Sequence, residues 1–230
     1  PDALFDYLAQ QAPRTERAWD CATGTGQSAV GLAVHFDRVI ATDASQDQIA
    51  QAQPHGNVSY RVATAYNSGL EDNSLDLVTA SQALHWFDFG LFFAEAKRVL
   101  KPAGLLAAWC YDVPQIPEIP EEMMLDLYYG ALEPYWPPER KYVDARYQTI
   151  DFPFSEVHDQ QFTMREFWNF REFAGYVSTW SASKEFVAAN GRDQWENLLV
   201  PLRQRWGDPE NTRDIAWPVS MRIAKKESPS

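Results

Sequence analysis

Asp20, Gly24, Gly26, Asp43 and His85 are the residues whose types and spacing could do chemistry. The first three lie in Ala18-Trp19-Asp20-Cys21-Ala22-Thr23-Gly24-Thr25-Gly26-Gln27-Ser28, an apolar approach that ends in an acid and a glycine-spaced turn. That turn feeds a run carrying Val30, Leu32, Ala33, Val34 and Phe36 at amphipathic spacing. A strand, a tight loop and a helix N-terminus in this order open a nucleotide-binding βαβ unit. Gly24 and Gly26 let backbone N–H groups lie close to a ligand that a Cβ would hold away. The first N–H groups of the following helix favour a negative or electron-rich group there. A match of Gly24, Gly26 and Ala29 to G-x-G-x-x-A is by itself a common strand–helix turn, so the second half of the unit carries the weight. Arg38-Val39-Ile40-Ala41-Thr42-Asp43 reads as a short buried strand ending in an acid. Asp43 follows Gly26 by 17 residues, close to the ~20 expected of a carboxylate that accepts hydrogen bonds from a ribose diol. Alone it reads equally as a turn acid; with the glycine turn upstream it predicts an adenosine-bearing cofactor.

The elements that must position these residues follow from the apolar pattern. Asp2 to Gln11 has helical spacing (Leu4, Phe5, Leu8), ended near Pro13. Ser45 with Gln48 has the form of a capping box that opens a helix after Asp43. Residues 57–62 alternate as a third strand, Leu75 to Ser81 is a fourth buried on both faces, and Gly104 to Tyr111 is a fifth. A helix from Leu91 to Leu100 lies between the last two, reached through an exit loop from Gln82 to Asp88. Strands alternating with helices at this rhythm imply a parallel sheet. Ligands of such sheets bind outside the carboxyl ends of the strands. Residues 22–26, Asp43, 64–66, 81–86, Tyr111 and Asp112 therefore share one rim.

Beyond Asp112 the composition shifts. Pro114, Pro117 and Pro120 precede an expected helix over Glu121 to Leu132, and Pro134, Pro137 and Pro138 break the chain after it. Thr149 to Phe152 and Glu156 to Phe162 read as extended. Thr163 with Glu166 predicts the cap of a long aromatic helix carrying Phe167, Trp168, Phe170, Phe173, Tyr176, Val177 and Trp180. A further helix is expected over Arg192 to Trp206 and a final strand over Ile215 to Ala224. The expected division is a cofactor-binding core over 1–112, a mostly helical cover over 113–206 and a return strand within 207–230.

Length and composition bound the function. The chain has 230 residues, 45% hydrophobic, and a net charge of −12. No basic stripe exists to neutralise phosphates, which argues against a nucleic-acid partner. No apolar run reaches the ~18 residues of a membrane span, and no signal peptide is apparent. The chain begins at Pro1 without a methionine, so upstream residues are expected. Cys21 and Cys110 lack metal-ligand spacing, read as packed thiols, and imply a reducing, cytoplasmic compartment. His35, His55, His85 and His158 are scattered, so no metal is expected.

Two cofactors suit an acid-terminated second strand: a nicotinamide dinucleotide and S-adenosylmethionine. Asp20 lies four residues before Gly24. A carboxylate there would repel a pyrophosphate but could orient the ammonium of an amino-acid tail. Its other reading is a strand-end acid that caps the loop's own N–H groups. Taken with the rest, Asp20 points to S-adenosylmethionine, with S-adenosylhomocysteine as product.

Asp20-Cys21-Ala22-Thr23-Gly24-Thr25-Gly26, Asp43, Leu75-Asp76-Leu77-Val78, Gln82-Ala83-Leu84-His85-Trp86-Phe87 and Arg98-Val99-Leu100-Lys101-Pro102-Ala103-Gly104 occur in that order. Together they resemble the class I S-adenosylmethionine-dependent methyltransferases of the small-molecule type 11 group, and within it the trans-aconitate methyltransferase-like branch. The resemblance covers about residues 1–111 and is fainter at residues 175–181. It implies an α/β fold, a Rossmann-like seven-stranded sheet with the last strand antiparallel, and a helical cover inserted in the C-terminal half. It also implies roles: residues 20–26 (Asp20, Ala22, Gly24, Gly26) hold the methionine moiety, and Asp43 the ribose hydroxyls. Ala44 flanks the adenine, Thr64 and Ala65 contact its edge, and Ser81 lies near the methionine end. Ala22 stands where the family has glycine, which alanine tolerates at negative φ. The family has an acid near Thr64 or Tyr66, and Pro-Gly-Gly where Pro102-Ala103-Gly104 stands.

Methyl transfer from a sulfonium needs alignment more than chemistry from the protein. Aromatic rings facing the cation and excluding water would help; Trp86, Phe87, Tyr111, Tyr176 and Trp180 supply such material, and Trp86, Tyr111, Tyr176 and Trp180 are the candidate substrate residues. Core packing is the other reading of each. His85 is the rim group whose ordinary pKa of ~6.5 suits a general base. With a hydroxyl acceptor it could take the proton, with a carboxylate acceptor it would only hydrogen-bond, and a structural histidine is the third reading. Carboxylate capture would want a cation, for which Arg140, Lys141, Arg146, Arg165 and Arg171 stand unranked. The expected function is methyl transfer to a small-molecule acceptor, at a carboxylate or hydroxyl oxygen. The alternatives are a nicotinamide-dependent oxidoreductase and a non-catalytic cofactor-binding domain.

Overall fold

A computed structural model describes residues 1–228. Its elements run α1 (Asp2–Gln11), β1 (Arg17–Cys21), α2 (Gln27–Ala33), β2 (Arg38–Asp43), α3 (Gln46–Ala50), β3 (Val58–Val62), β4 (Leu75–Ser81), α4 (Phe89–Val99) and β5 (Leu100–Tyr111). After these come α5 (Glu121–Leu125), α6 (Arg140–Asp144), β6 (Glu156–Trp168), α7 (Phe170–Ser178), α8 (Ser181–Asn190), α9 (Arg192–Leu198), α10 (Val200–Trp206) and β7 (Arg213–Lys225). The seven strands form one sheet in the order β3-β2-β1-β4-β5-β7-β6. The first five pair in parallel, with Ala18 opposite Val39 on one side and opposite Leu77 on the other. β7 runs antiparallel to β5: backbone bonds join Ala103 and Gly104 to Lys226 at one end, and Asp112 to Pro218 at the other. This is the Rossmann-like methyltransferase arrangement that the resemblance implied.

Two compact units divide the chain. The first comprises Pro1–Cys110, Tyr142–Phe162 and the chain from Val219 onward. One face of its sheet carries a core of Trp19, Ile40, Val78 and Leu106, with Phe92 and Phe93 of α4 in the same cluster. The second comprises Tyr111–Lys141 and Thr163–Pro218, cored by Phe173, Val177, Trp195, Leu202, Trp206 and Trp217. Residues 142–162, assigned by the expected boundaries to the cover, cluster with the first unit. The last two residues of the expected return segment lie outside the described residues.

Several expected elements take a different form. α4 begins at Phe89 rather than Leu91 because Asp88 is its cap and accepts from Leu91 N at 3.0 Å. The helix expected over Glu121 to Leu132 is α5 followed by a widened π turn, Asp126–Ala131. Thr149 to Phe152 forms turns and irregular backbone. The cap assigned to Thr163 and Glu166 is a misreading. Those residues lie inside β6, and α7 starts instead at Asn169, whose side chain and that of Glu172 form a reciprocal capping box. The helix expected over Arg192 to Trp206 is two helices, because Pro201 cannot donate to a preceding turn. α8 carries no strong apolar stripe and was absent from the expected elements.

Candidate active site

β1 delivers Asp20 to the carboxyl end of the sheet with the carboxylate turned inward, fully buried. Thr23 Oγ1 donates to Oδ2 at 2.5 Å, Thr79 Oγ1 of β4 to Oδ1 at 2.8 Å, and Ala29 N–H adds a third bond. Burial raises its pKa to about 6, and hydrogen bonds and nearby Asp43 act on it less strongly. No cation among the described residues pairs with it. Asp76, the other fully buried acid, differs: it lies on β4, accepts from Arg17 N at 2.9 Å and pairs with Lys101 Nζ at 2.9 Å. In this conformation Asp20 braces the loop, and its negative charge stands beneath that loop without a counter-charge.

The loop itself carries Ala22, Gly24 and Gly26 at φ of +54°, +57° and +92°. Ala22 therefore does not adopt the negative φ that alanine prefers; it occupies the left-handed region where glycine is at ease. The two glycines have different reasons. A Cβ on Gly26 would fall 2.4 Å from Tyr60 Oη, so packing against that ring demands glycine there. A Cβ on Gly24 would meet nothing nearer than Gln48 Oε1 at 3.8 Å, so the open side of the loop is at Gly24.

Asp43 ends β2 half-buried beside that opening. Its Oδ2 accepts from Gly24 N and its Oδ1 from Ser45 N, both at 2.9 Å. A carboxylate has about four acceptor sites, so each oxygen keeps capacity for a hydroxyl. Ala44 is exposed next to it. Ser45 accepts from Gln48 N at 3.3 Å to cap α3, which holds the far wall. Thr64 is exposed, and Ala65 is half-buried against the core of the first unit. Tyr66 is engaged elsewhere: its hydroxyl accepts from Asp88 N at 2.8 Å and its ring meets Phe87 edge-on.

Ser81 closes β4 half-buried, opposite Trp109 of β5. Gln82 follows at φ +51°, and Leu84–Trp86 form a single 3-10 turn. That turn sends His85 inward, only 6% exposed, and Trp86 outward, 52% exposed. The indole ring covers the imidazole at 4.7 Å between centroids. His85 Nδ1 lies 3.0 Å from Tyr147 Oη, a fully buried phenol. Tyr147 carries no signal in the sequence, since 62 residues separate it from His85 and nothing local marks it.

Tyr111, Tyr176 and Trp180 belong to the second unit, where they form one cluster. The Tyr111 and Tyr176 hydroxyls are hydrogen-bonded to each other, and burial raises both pKa values. Trp217 Nε1 donates to Tyr176 Oη at 3.1 Å, and Trp180 meets the Tyr176 ring edge-on. Arg140 stacks over Tyr128 and Trp136, 4.7 Å from each centroid, and its charge acts on both Tyr111 and Tyr176. Of the five cations left unranked, Arg140 is brought to these aromatics. Arg165 is paired with Asp214 at 2.6 Å, and Arg171 lines a separate groove of the second unit with Arg192 and Arg203.

The donor set suits an adenosine-bearing cation. A carboxylate for hydroxyls stands beside a loop with an open glycine face, and an unneutralised acid lies below it. Among the described residues, no group of three or more His, Cys, Asp or Glu could hold a metal ion, and no helix is long and apolar enough to cross a membrane.

Comparisons with known proteins show the family. A family model described as a methyltransferase domain matches residues 19–108. A protein of Dictyostelium discoideum named as a methyltransferase is 34% identical over 234 residues, spanning 98% of this chain and 89% of that one. A solved structure of a protein from Anaeromyxobacter dehalogenans, described as a type II methyltransferase, is 39% identical, with a TM-score of 0.91 over 100% of this chain and 97% of that one. A Haemonchus contortus phosphoethanolamine N-methyltransferase, solved with S-adenosyl-L-methionine, shares the fold at 18% identity and a TM-score of 0.52, over 99% of this chain and 52% of that one.

Proposed function

The chain belongs to the class I S-adenosylmethionine-dependent methyltransferases, and from that premise we propose that it methylates a small acceptor at oxygen, a carboxylate before a hydroxyl, by direct displacement. The observation that carries the reading of the cofactor site is Asp20: an acid buried without a counter-charge beneath the open loop supports a ligand that brings positive charge with it. S-adenosylmethionine, when bound, supplies a methyl group on a sulfonium, an electrophile that needs no acid to activate it.

Asp43 then grips the ribose hydroxyls through the acceptor sites its loop bonds leave open. Ala44 flanks the adenine, and Thr64 and Ala65 meet its edge. Residues 20–26 hold the methionine end, with Ala22 and Gly24 presenting backbone and Asp20 acting through the loop it braces. Ser81 stands at the same end. Gly26 serves by letting Tyr60 pack behind the loop. Holding these parts in one orientation is the chief catalytic contribution open to the protein, because displacement depends on alignment.

For the acceptor, Trp86 offers an exposed ring and His85 a hydrogen bond. Tyr111, Tyr176 and Trp180 supply apolar and hydroxyl contacts in the second unit. Arg140 lies over two aromatic rings of the same unit. The preference for a carboxylate rests on the resemblance to the trans-aconitate branch.

The test is calorimetric titration with S-adenosylmethionine and S-adenosylhomocysteine, followed by detection of S-adenosylhomocysteine release across a panel of small carboxylates and hydroxyl compounds. Tight binding and turnover on a carboxylate are expected. No binding of either ligand at millimolar concentration would end the cofactor reading, and turnover confined to amines would end the choice of oxygen.

A further inference from the structure

We propose that the groove lined by α7, α9 and α10 is a binding site for an amphipathic monocarboxylate, a carboxylate head on an alkyl or aryl body. The groove holds about 750 Å³, a volume usual for a small-ligand site. Its lining lies wholly within the second unit and includes none of the residues proposed to hold the cofactor or the acceptor.

Charge is the first reason. The chain carries a net charge of −12, so it exerts no long-range pull on an anion, and any anionic ligand must be captured locally. Arg171, Arg192 and Arg203 all line the groove. Arg192 is matched by Glu196 at 3.2 Å. The guanidinium groups of Arg171 and Arg203 make no hydrogen bond or ion pair among the described residues. Glu210 is the remaining acid of the lining. Two guanidinium groups against one carboxylate leave a single positive charge over. One anionic group balances it, and a guanidinium takes a carboxylate through two parallel hydrogen bonds.

The apolar lining is the second. Phe170, Trp195 and Leu199 are buried in the core of the unit and still reach the groove. Trp195 is only 5% exposed, yet its indole N–H makes no hydrogen bond among the described residues. Trp206 and Trp217 of the same unit both donate, to Asn211 O and to Tyr176 Oη. A buried indole N–H ordinarily finds a partner, and the one at Trp195 is left for a ligand oxygen.

Gly175 gives a third sign. It lies inside α7 without a positive φ, where glycine destabilises a helix relative to alanine. A Cβ at this position would meet nothing within 4 Å. Neither a turn nor packing inside the chain asks for glycine there. The missing side chain instead keeps the groove wall low for the body of a ligand.

The probe is octanoate, with 1-octanol as its uncharged counterpart, titrated into the full chain labelled with nitrogen-15. The chain has nine tryptophans, and Trp195 is identified by the indole signal lost in Trp195→Phe. Octanoate should move that signal saturably and bind about tenfold or more tighter than octanol, the worth of a charge-assisted hydrogen bond. Arg171→Gln combined with Arg203→Gln should bring octanoate down to the affinity of octanol. Both arginines are exposed, so this double variant keeps the fold whatever becomes of a core-facing change. Gly175→Leu, which fills the groove where a Cβ has room, should abolish binding of both probes. Equal affinity for octanol, or wild-type octanoate binding in either folded variant, would overturn the proposal. An unmoved Trp195 indole would overturn it too, and would leave the groove to a partner chain.

Discussion

Asp20 sets a balance between stability and binding that pH should expose. Its pKa is raised from 3.8 to about 6 because burial disfavours the charged form. The native state therefore holds this proton more tightly than the unfolded chain does. The cost of ionising it is absent below about pH 4, grows between there and pH 6, and is complete above, amounting to ~3 kcal/mol. Asp20→Asn removes that cost. Urea unfolding should find the variant more stable than wild type at pH 7.5, with the difference shrinking toward pH 4. A cationic ligand, in contrast, favours the ionised acid. Calorimetry should show S-adenosylmethionine binding that weakens as the pH falls through about 6 in wild type, and weak, flatter binding in Asp20→Asn. Asp43 makes the complementary case on the sugar side. Asp43→Ala should weaken S-adenosylhomocysteine binding by about 1–3 kcal/mol, the cost of leaving buried hydroxyls unpaired. An unchanged dissociation constant would move the ribose elsewhere.

Elements here are often decided at their first residue. α7 depends on the reciprocal bonds between Asn169 and Glu172, each near 3 Å. Asn169→Ala should cost about 1 kcal/mol, read as a lower urea midpoint with an unchanged slope. Thr163-x-x-Glu166 has the same form and caps nothing, because those residues are ladder positions of β6. A four-residue motif cannot tell a helix start from a strand, since the deciding bonds come from a partner strand far along the chain. The loop after β1 gives a second prediction at this scale. Ala22 sits at φ +54°, so Ala22→Gly should stabilise the fold by about 0.5–1 kcal/mol, the left-handed penalty less the extra entropy glycine loses. A destabilised variant would mean the alanine methyl makes a contact worth more than the strain.

For the molecule as a whole, ligand binding and folding are linked. S-adenosylhomocysteine at about 100 times its dissociation constant should add ~2.7 kcal/mol to unfolding, seen as a rise in Tm, while NADH at the same concentration should leave Tm in place. A rise with NADH alone would return the chain to dinucleotide chemistry. The strands and turns of the first half of the chain were legible in advance because their signals are local. Asp20, Gly24 and Gly26 lie on one strand and its exit turn, and Asp43 ends the next strand, so topology alone brings them to one rim. Alternation and apolar runs were enough to place β1, β2 and β4, because strands buried on both faces admit little else. Arg140, by contrast, could not be told from four other cations until the fold set it over Tyr128 and Trp136.

The order of strands and helices, the acid-and-glycine turn and the acid of the second strand were determined by the amino-acid sequence itself, since each depends on neighbours within a few residues. Tertiary structure alone decided that the Asp20 carboxylate faces inward to Thr79, 59 residues away, that Ala22 is left-handed, and that Tyr147 reaches His85 across 62 residues. Those facts depend on which side chains share a buried space, and burial is a property of the packed chain.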